Sequence, residues 1–186
     1  MIRGLLLAGG ASTRFGAPKL LHAVPGHRSL GETSARNLVE GVGNALAVVR
    51  DGDDALADRF RAAGCDVLVT ARARAGMGAS IAAGVEAACD AQGWVIALAD
   101  MPRIPPAVSR SVAEALAAGA MIAAPVLPSG ERGHPVGFSA RLFGELAALT
   151  GDEGARSLIA RHRADVVLVS SVERGILYDV DRPTDL

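Results

Sequence analysis

Short apolar runs alternate along this chain with longer stretches whose apolar residues recur at helical spacing. The runs are Ile2 to Ala8 (broken only by Arg3 and Gly4), Ala45 to Val49, Asp66 to Thr70, Trp94 to Ala99, Ala120 to Val126 and Val166 to Val169. Each reads as a short strand. Helices are expected at Ser29 to Val42, Ala55 to Ala63, Ser80 to Ala91, Pro106 to Ala117, Ser139 to Leu149 and Gly151 to Arg161. Leu20 to Val24 predicts a short extended segment. Gly133 to Phe138 predicts a strand returning antiparallel to part of the sheet, and the tail from Gly175 predicts one last short strand. The strand–helix–strand rhythm runs without long linkers or repeats. It predicts an α/β protein in which helices sandwich a mostly parallel sheet.

Composition narrows the picture. The chain has 186 residues, enough for one domain with a sizeable core and too few for two ordinary ones, so a single domain over 1–186 is expected. Half the residues are hydrophobic but only 3% are aromatic, so Ala, Leu, Val and Ile must build the core. A net charge of −1 supplies no general field for nucleic acid or a membrane surface, and any anion must be caught by a local cluster. Cys65 and Cys89 are too few for a disulfide scaffold or zinc site, and both are expected to be buried. No signal-peptide pattern or membrane-length apolar run is present, and a cytoplasmic location is expected.

The candidate chemistry starts where the first strand ends. The loop after it holds Gly9, Gly10 and Gly16, which let backbone amides approach a ligand, together with the Ser12 hydroxyl and the Arg14 and Lys19 charges. Inward N–H groups with cations at the rim suit a triphosphate. Eighteen of the nineteen basic residues are Arg, and Lys19 is the only lysine. A compact, rotatable ammonium does not act on phosphates as a planar guanidinium does. The spacing is neither a Walker P-loop nor a dinucleotide fingerprint, because five residues separate Gly10 from Gly16 and Lys19 follows three later. An ordinary turn with two solvated cations is the competing account.

Three later segments add to it. Gly76-Met77-Gly78-Ala79-Ser80 delivers a helix start, with Ser80 a possible cap; a surface turn is the alternative. Asp100-Met101-Pro102 follows a central strand, where open α/β sheets place their ligands, and Pro102 forces a turn that presents the carboxylate. Such a carboxylate across from a phosphate loop suits magnesium, while a capping Asp is the bland reading. In the tail, Asp181 is a candidate second metal carboxylate, with a helix cap before Pro183 as the rival. His134, between Gly133 and Pro135, is open to either a structural or a functional role.

Leu7-Ala8-Gly9-Gly10-x-Ser12-x-Arg14-Phe15-Gly16-x-x-Lys19, then Gly76-Met77-Gly78-x-Ser80, Asp100-Met101-Pro102, Gly133-His134-Pro135 and Asp179-x-Asp181-x-Pro183-x-Asp185-Leu186 occur in one order. This order resembles the molybdenum-cofactor cytidylyl- and guanylyltransferases of the glycosyltransferase-A-like superfamily. The resemblance implies a three-layer α/β/α, Rossmann-like nucleotidyltransferase fold. It implies transfer of CMP or GMP from CTP or GTP to the terminal phosphate of molybdopterin, with release of pyrophosphate and possible delivery to a recipient molybdoenzyme. It places Leu7, Ala8, Gly9, Gly10, Ser12, Arg14, Lys19, Gly78, Ser80 and Asp100 on the nucleotide and makes Arg14, Lys19 and Asp100 catalytic. Mg2+ would lie on Asp100 and Asp181, and the loop around His134 would line the acceptor side. Leu7 to Gly10 resembles the guanylyl branch, whereas Gly76 to Gly84 and Gly151 to Arg156 resemble the cytidylyl branch, which leans the reading to CTP. A sugar phosphate or other small phosphomonoester as acceptor, and a non-catalytic nucleotide or cofactor carrier, are the alternatives.

Overall fold

In a computed structural model, which describes residues 1–8, 18–24 and 28–185, seven strands form one sheet. They are β1 (Ile2–Leu7), β2 (Ala45–Val49), β3 (Asp66–Val69), β4 (Gly93–Leu98), β5 (Ile122–Val126), β6 (Val136–Ser139) and β7 (Val166–Ser170). Their order is β3-β2-β1-β4-β6-β5-β7. Every pairing is parallel except those of β6, which runs antiparallel to β4 and β5 as the sequence predicts.

Period-2 alternation in β1 divides the core between the sheet's two faces. Leu6 and Ala8 join one cluster, with Leu30 and Leu38 of α1 (Leu30–Val42), Phe60 of α2 (Asp54–Ala62) and Val112 of α4 (Pro106–Ala117). Leu5 and Leu7 join the opposite cluster, with Ile81 and Val85 of α3 (Met77–Ala87), Leu146 of α5 (Phe143–Ala147) and Leu158 of α6 (Arg156–Arg161). Two covered faces explain why β2 is buried at all five residues and reads as an unbroken apolar run. The fold is the expected α/β/α sandwich with a mostly parallel sheet.

Local signals explain the helix starts. Ser29 is extended and its Oγ accepts from the Glu32 N–H at 3.2 Å, a side-chain cap on α1. Pro106 opens α4, where its missing N–H costs nothing.

Four segments differ from the sequence reading. Of the expected extended segment Leu20 to Val24, Leu20 and Leu21 lie in a 3-10 turn (Lys19–Leu21), closed by Leu21 N–H to Pro18 O and His22 N–H to Lys19 O, while Ala23 bridges antiparallel to Ser29. The expected helix from Ser139 splits into a 3-10 turn at Ala140–Leu142 and the short α5. The next helix begins only at Arg156, because Gly151 and Gly154 take left-handed φ values of 62° and 58°. The tail forms no strand: Arg174–Leu177 is a 3-10 turn that drives Ile176 into a small cluster with Met101, Ile104, Val108 and Leu127. Cys65 is buried, and burial pushes its thiol up to about 12, with the Asp66 charge adding to the effect. Cys89, expected to be buried, lies past the end of α3 and is exposed.

Sheet order fixes where a ligand belongs. From β1 the chain builds β2 and β3 on one side, then crosses to β4 on the other. The crevice at the carboxyl ends of β1 and β4 is therefore the topological switch point.

Candidate active site

Asp100 stands at that crevice. Pairing of β4 with β1 continues one residue further, as the Ala99 N–H donates to Leu7 O at 3.0 Å. The chain then turns, and α1 secures the turn. Ser34 Oγ donates to Ala99 O at 2.9 Å, and Asn37 Nδ2 donates to Pro102 O at 3.1 Å and Ile104 O at 2.9 Å. These two α1 residues carry no signal in the sequence, because a polar residue inside a helix predicts nothing about which distant carbonyl it meets.

The tail returns to the same point. Val180 is buried, and its N–H donates to Asp100 O at 2.9 Å. Asp185 Oδ2 accepts from the Asp181 N–H at 3.0 Å and the Arg182 N–H at 2.7 Å, which folds the chain end into a turn. Those two N–H groups hold the Asp185 carboxyl below the usual aspartate value. The backbone-capping carboxylate of this tail is thus Asp185, and the Asp181 carboxylate reaches Lys19.

Lys19 closes the cluster. Its neighbour Leu20 is buried in the α1-side core, which anchors the 3-10 turn that carries Lys19. Lys19 Nζ lies 2.9 Å from Asp100 Oδ2 and 3.5 Å from Asp181 Oδ1. The sequence points separately to these three residues, which are 81 and 162 positions apart from first to second and first to third, counting 100 − 19 and 181 − 19. The structure brings them together around one cation.

Two hard oxygen donors converging on a stand-in cation fit a divalent ion that takes its remaining ligands from water and phosphate. Among the described residues, no group of three or more His, Cys, Asp or Glu is placed to hold a metal by protein ligands alone.

His134 lies at the edge of this cluster. Its N–H donates to Ile176 O at 2.9 Å, and its Nδ1 is buried without a hydrogen-bond partner. Burial pushes the imidazole below its ordinary value, against the opposing pull of Asp100 and Asp179. The neighbouring Gly133 packs so closely on the Ile176 carbonyl that a Cβ there would collide with it.

The remaining expected site residues divide. Gly9, Gly10, Ser12 and Arg14 lie outside the described residues. Leu7 and Ala8 are buried at the end of β1, with Leu7 O and the Ala8 N–H engaged by the neighbouring strands. Beyond them, Ala8, Pro18, Leu20, Arg50, Asp53 and Leu56 line a cavity of about 230 Å³. Gly78 and Ser80 are buried in α3. The Gly78 N–H donates to Gly151 O at 2.7 Å, and Ser80 Oγ donates to Gly76 O at 2.9 Å. Ser80 therefore does not cap the helix as expected; it sits in the first turn, and Gly76 precedes that turn with φ 118°.

The match to known proteins fits this geometry. Residues 4–166 match the MobA-like NTP transferase domain. The chain belongs to that family. Rv0371c from Mycobacterium tuberculosis H37Rv is 31% identical, with a TM-score of 0.79 over 99% of this chain and 94% of that one. A structure of Rv0371c in complex with manganese aligns at 27% identity and a TM-score of 0.78, covering 99% and 95%. Molybdopterin-guanine dinucleotide biosynthesis protein A from Archaeoglobus fulgidus shares the fold at 21% identity and a TM-score of 0.67, covering 98% and 94%. No curated protein matches the chain. No helix among the described residues is long and apolar enough to cross a membrane.

Proposed function

We propose that this chain transfers a nucleoside monophosphate from CTP or GTP to the terminal phosphate of molybdopterin and releases pyrophosphate. The observation that carries the reading is the meeting of Lys19, Asp100 and Asp181 at the β1/β4 crevice. CTP is the donor we favour. The two segments that resemble the cytidylyl branch pack on each other, Gly76 and Gly78 against Thr150 to Asp152 and Gly154 against Met77, so they form one unit.

An oxygen of the acceptor phosphate bonds to the α-phosphorus, the α–β bridging bond breaks, and its electron pair leaves with pyrophosphate. The acceptor oxygen is already anionic, so no side chain need remove a proton. What remains is alignment and charge. Lys19, with Arg14 from the loop before it, would neutralise the departing pyrophosphate. Asp100 and Asp181 would hold Mg2+, which when bound supplies charge neutralisation at the phosphate oxygens. The Ser34 and Asn37 hydrogen bonds keep the Asp100 turn in place, which limits the reorganisation needed as charge develops. His134, on which the Asp100 and Asp179 charges act, would face the acceptor.

The test is pyrophosphate release from the protein with Mg2+, molybdopterin and either CTP or GTP. Release that needs both nucleotide and molybdopterin is expected, faster with CTP. Release with a sugar phosphate in place of molybdopterin would move the acceptor. Nucleotide binding without release would identify a carrier.

A further inference from the structure

Lys19 occupies the position between two carboxylates that a divalent ion would need. Its Nζ is 2.9 Å from Asp100 Oδ2 and 3.5 Å from Asp181 Oδ1, and its side chain is only 11% exposed. The carboxylates are more open, at 26% and 43%, so a hydrated ion has access to them. An ammonium and a divalent cation cannot share these oxygens, because their charges repel at contact distance. A lysine suits exchange between the two arrangements: a point charge on a flexible four-carbon stem keeps its attraction in many directions, whereas a guanidinium needs a planar, forked partner.

We propose that Lys19 is the resting cation of this site, displaced from Asp100 and Asp181 by the incoming metal ion and transferred to the nucleotide's phosphates. The inference rests on the reading that those two carboxylates hold the metal. It gives one side chain two successive partners. Metal entry frees the ammonium, and a triphosphate then offers it a new set of anionic oxygens. Because linkage is reciprocal, a triphosphate that draws Lys19 away also raises the affinity of the carboxylates for metal. The free protein would hold metal weakly and the nucleotide-loaded protein tightly, with no further moving part.

The test titrates Mn2+, in the absence of nucleotide and acceptor, into wild type, Lys19→Met and Lys19→Arg, with bound metal read by electron paramagnetic resonance. Lys19→Met is expected to bind Mn2+ about tenfold tighter or better than wild type, within the usual range of coupling between sites. Lys19→Arg keeps the charge and is expected to stay near wild type. Binding by Lys19→Met no tighter than wild type, or no saturable binding by either, overturns the proposal.

A second measurement needs no substitution. Lys19 is the only lysine in the sequence, so an amine-acylating reagent can read it against the Met1 amino group, which bonds Gln92 Oε1 at 2.8 Å and serves as the internal reference. Saturating Mn2+ is expected to raise acylation of Lys19 relative to Met1 by severalfold; an unchanged or lower ratio overturns the proposal. Both effects observed, with no pyrophosphate released by wild type, would leave this exchange standing and remove the transferase reading.

Discussion

Two glycine-and-polar segments look alike in the sequence and do different work in the fold. The segment ending in Lys19 delivers a charge to a crevice where Asp100 and Asp181 meet it. The segment Gly76 to Ser80 directs its polar groups inward: the Gly78 N–H to Gly151 O, and Ser80 Oγ to Gly76 O. Its glycines are needed because another loop lies against them, with a Cβ on Gly78 falling 2.6 Å from Thr150 O. Lys19 brings its charge to the ends of β1 and β4, and Gly76 to Ser80 join α3 to the loop after α5.

This contrast predicts opposite outcomes for substitutions in the two places. The largest effect is expected at the charged cluster: Asp100→Ala should reduce pyrophosphate release about 100-fold or more, with thermal stability little changed. Comparable loss of stability and turnover would place Asp100 in the scaffold. Gly78→Ala should do the reverse. Crowding a backbone carbonyl typically costs about 1–3 kcal/mol, readable as a lower urea midpoint, with turnover per folded molecule falling far less than in Asp100→Ala. Ser80→Ala removes one hydroxyl-to-carbonyl bond and is expected to cost about 1 kcal/mol in the same assay. A rise in KM for the nucleotide without loss of stability, at either position, would put that segment in contact with the nucleotide, as the family resemblance implies.

The smallest effect is a pH dependence in the tail. The Asp185 carboxyl lies below its ordinary value of 3.8 because the folded chain gives it the Arg182 and Asp181 N–H groups. The unfolded chain therefore takes up the proton first as pH falls. The stabilisation is fully present above about the ordinary value and disappears as pH drops through the lower folded value. Amide exchange at Asp181 and Arg182, compared with Asp185→Asn at neutral pH, should show faster exchange in the variant. Equal protection would mean that the Asp185 carboxylate does not hold this turn.

The sequence made some of this visible and hid the rest for definable reasons. The strands of the sheet's centre were legible because burial on both faces removes polar residues, as in Ala45 to Val49. The start of α1 was legible because Ser29 caps it through a local bond. Asp100 was legible because Pro102 forces a turn at the end of an apolar run. The tail misled because Ile176 and Val180 are buried in two different clusters around a turn, not side by side along one strand. Ser34 and Asn37 were hidden because their partners lie 65 and 67 positions away in the chain. Ser80 had the composition of a cap, but its place within the first turn of α3 became apparent only with Gly76 and Gly151 in position.

The most direct measurement is a crystal of the protein grown with Mn2+ and a non-hydrolysable CTP analogue, located by manganese anomalous scattering. The account predicts a manganese peak coordinated by Asp100 and Asp181, with Lys19 Nζ moved onto the triphosphate. A manganese ion bound elsewhere, with Lys19 still between the two carboxylates, would contradict it.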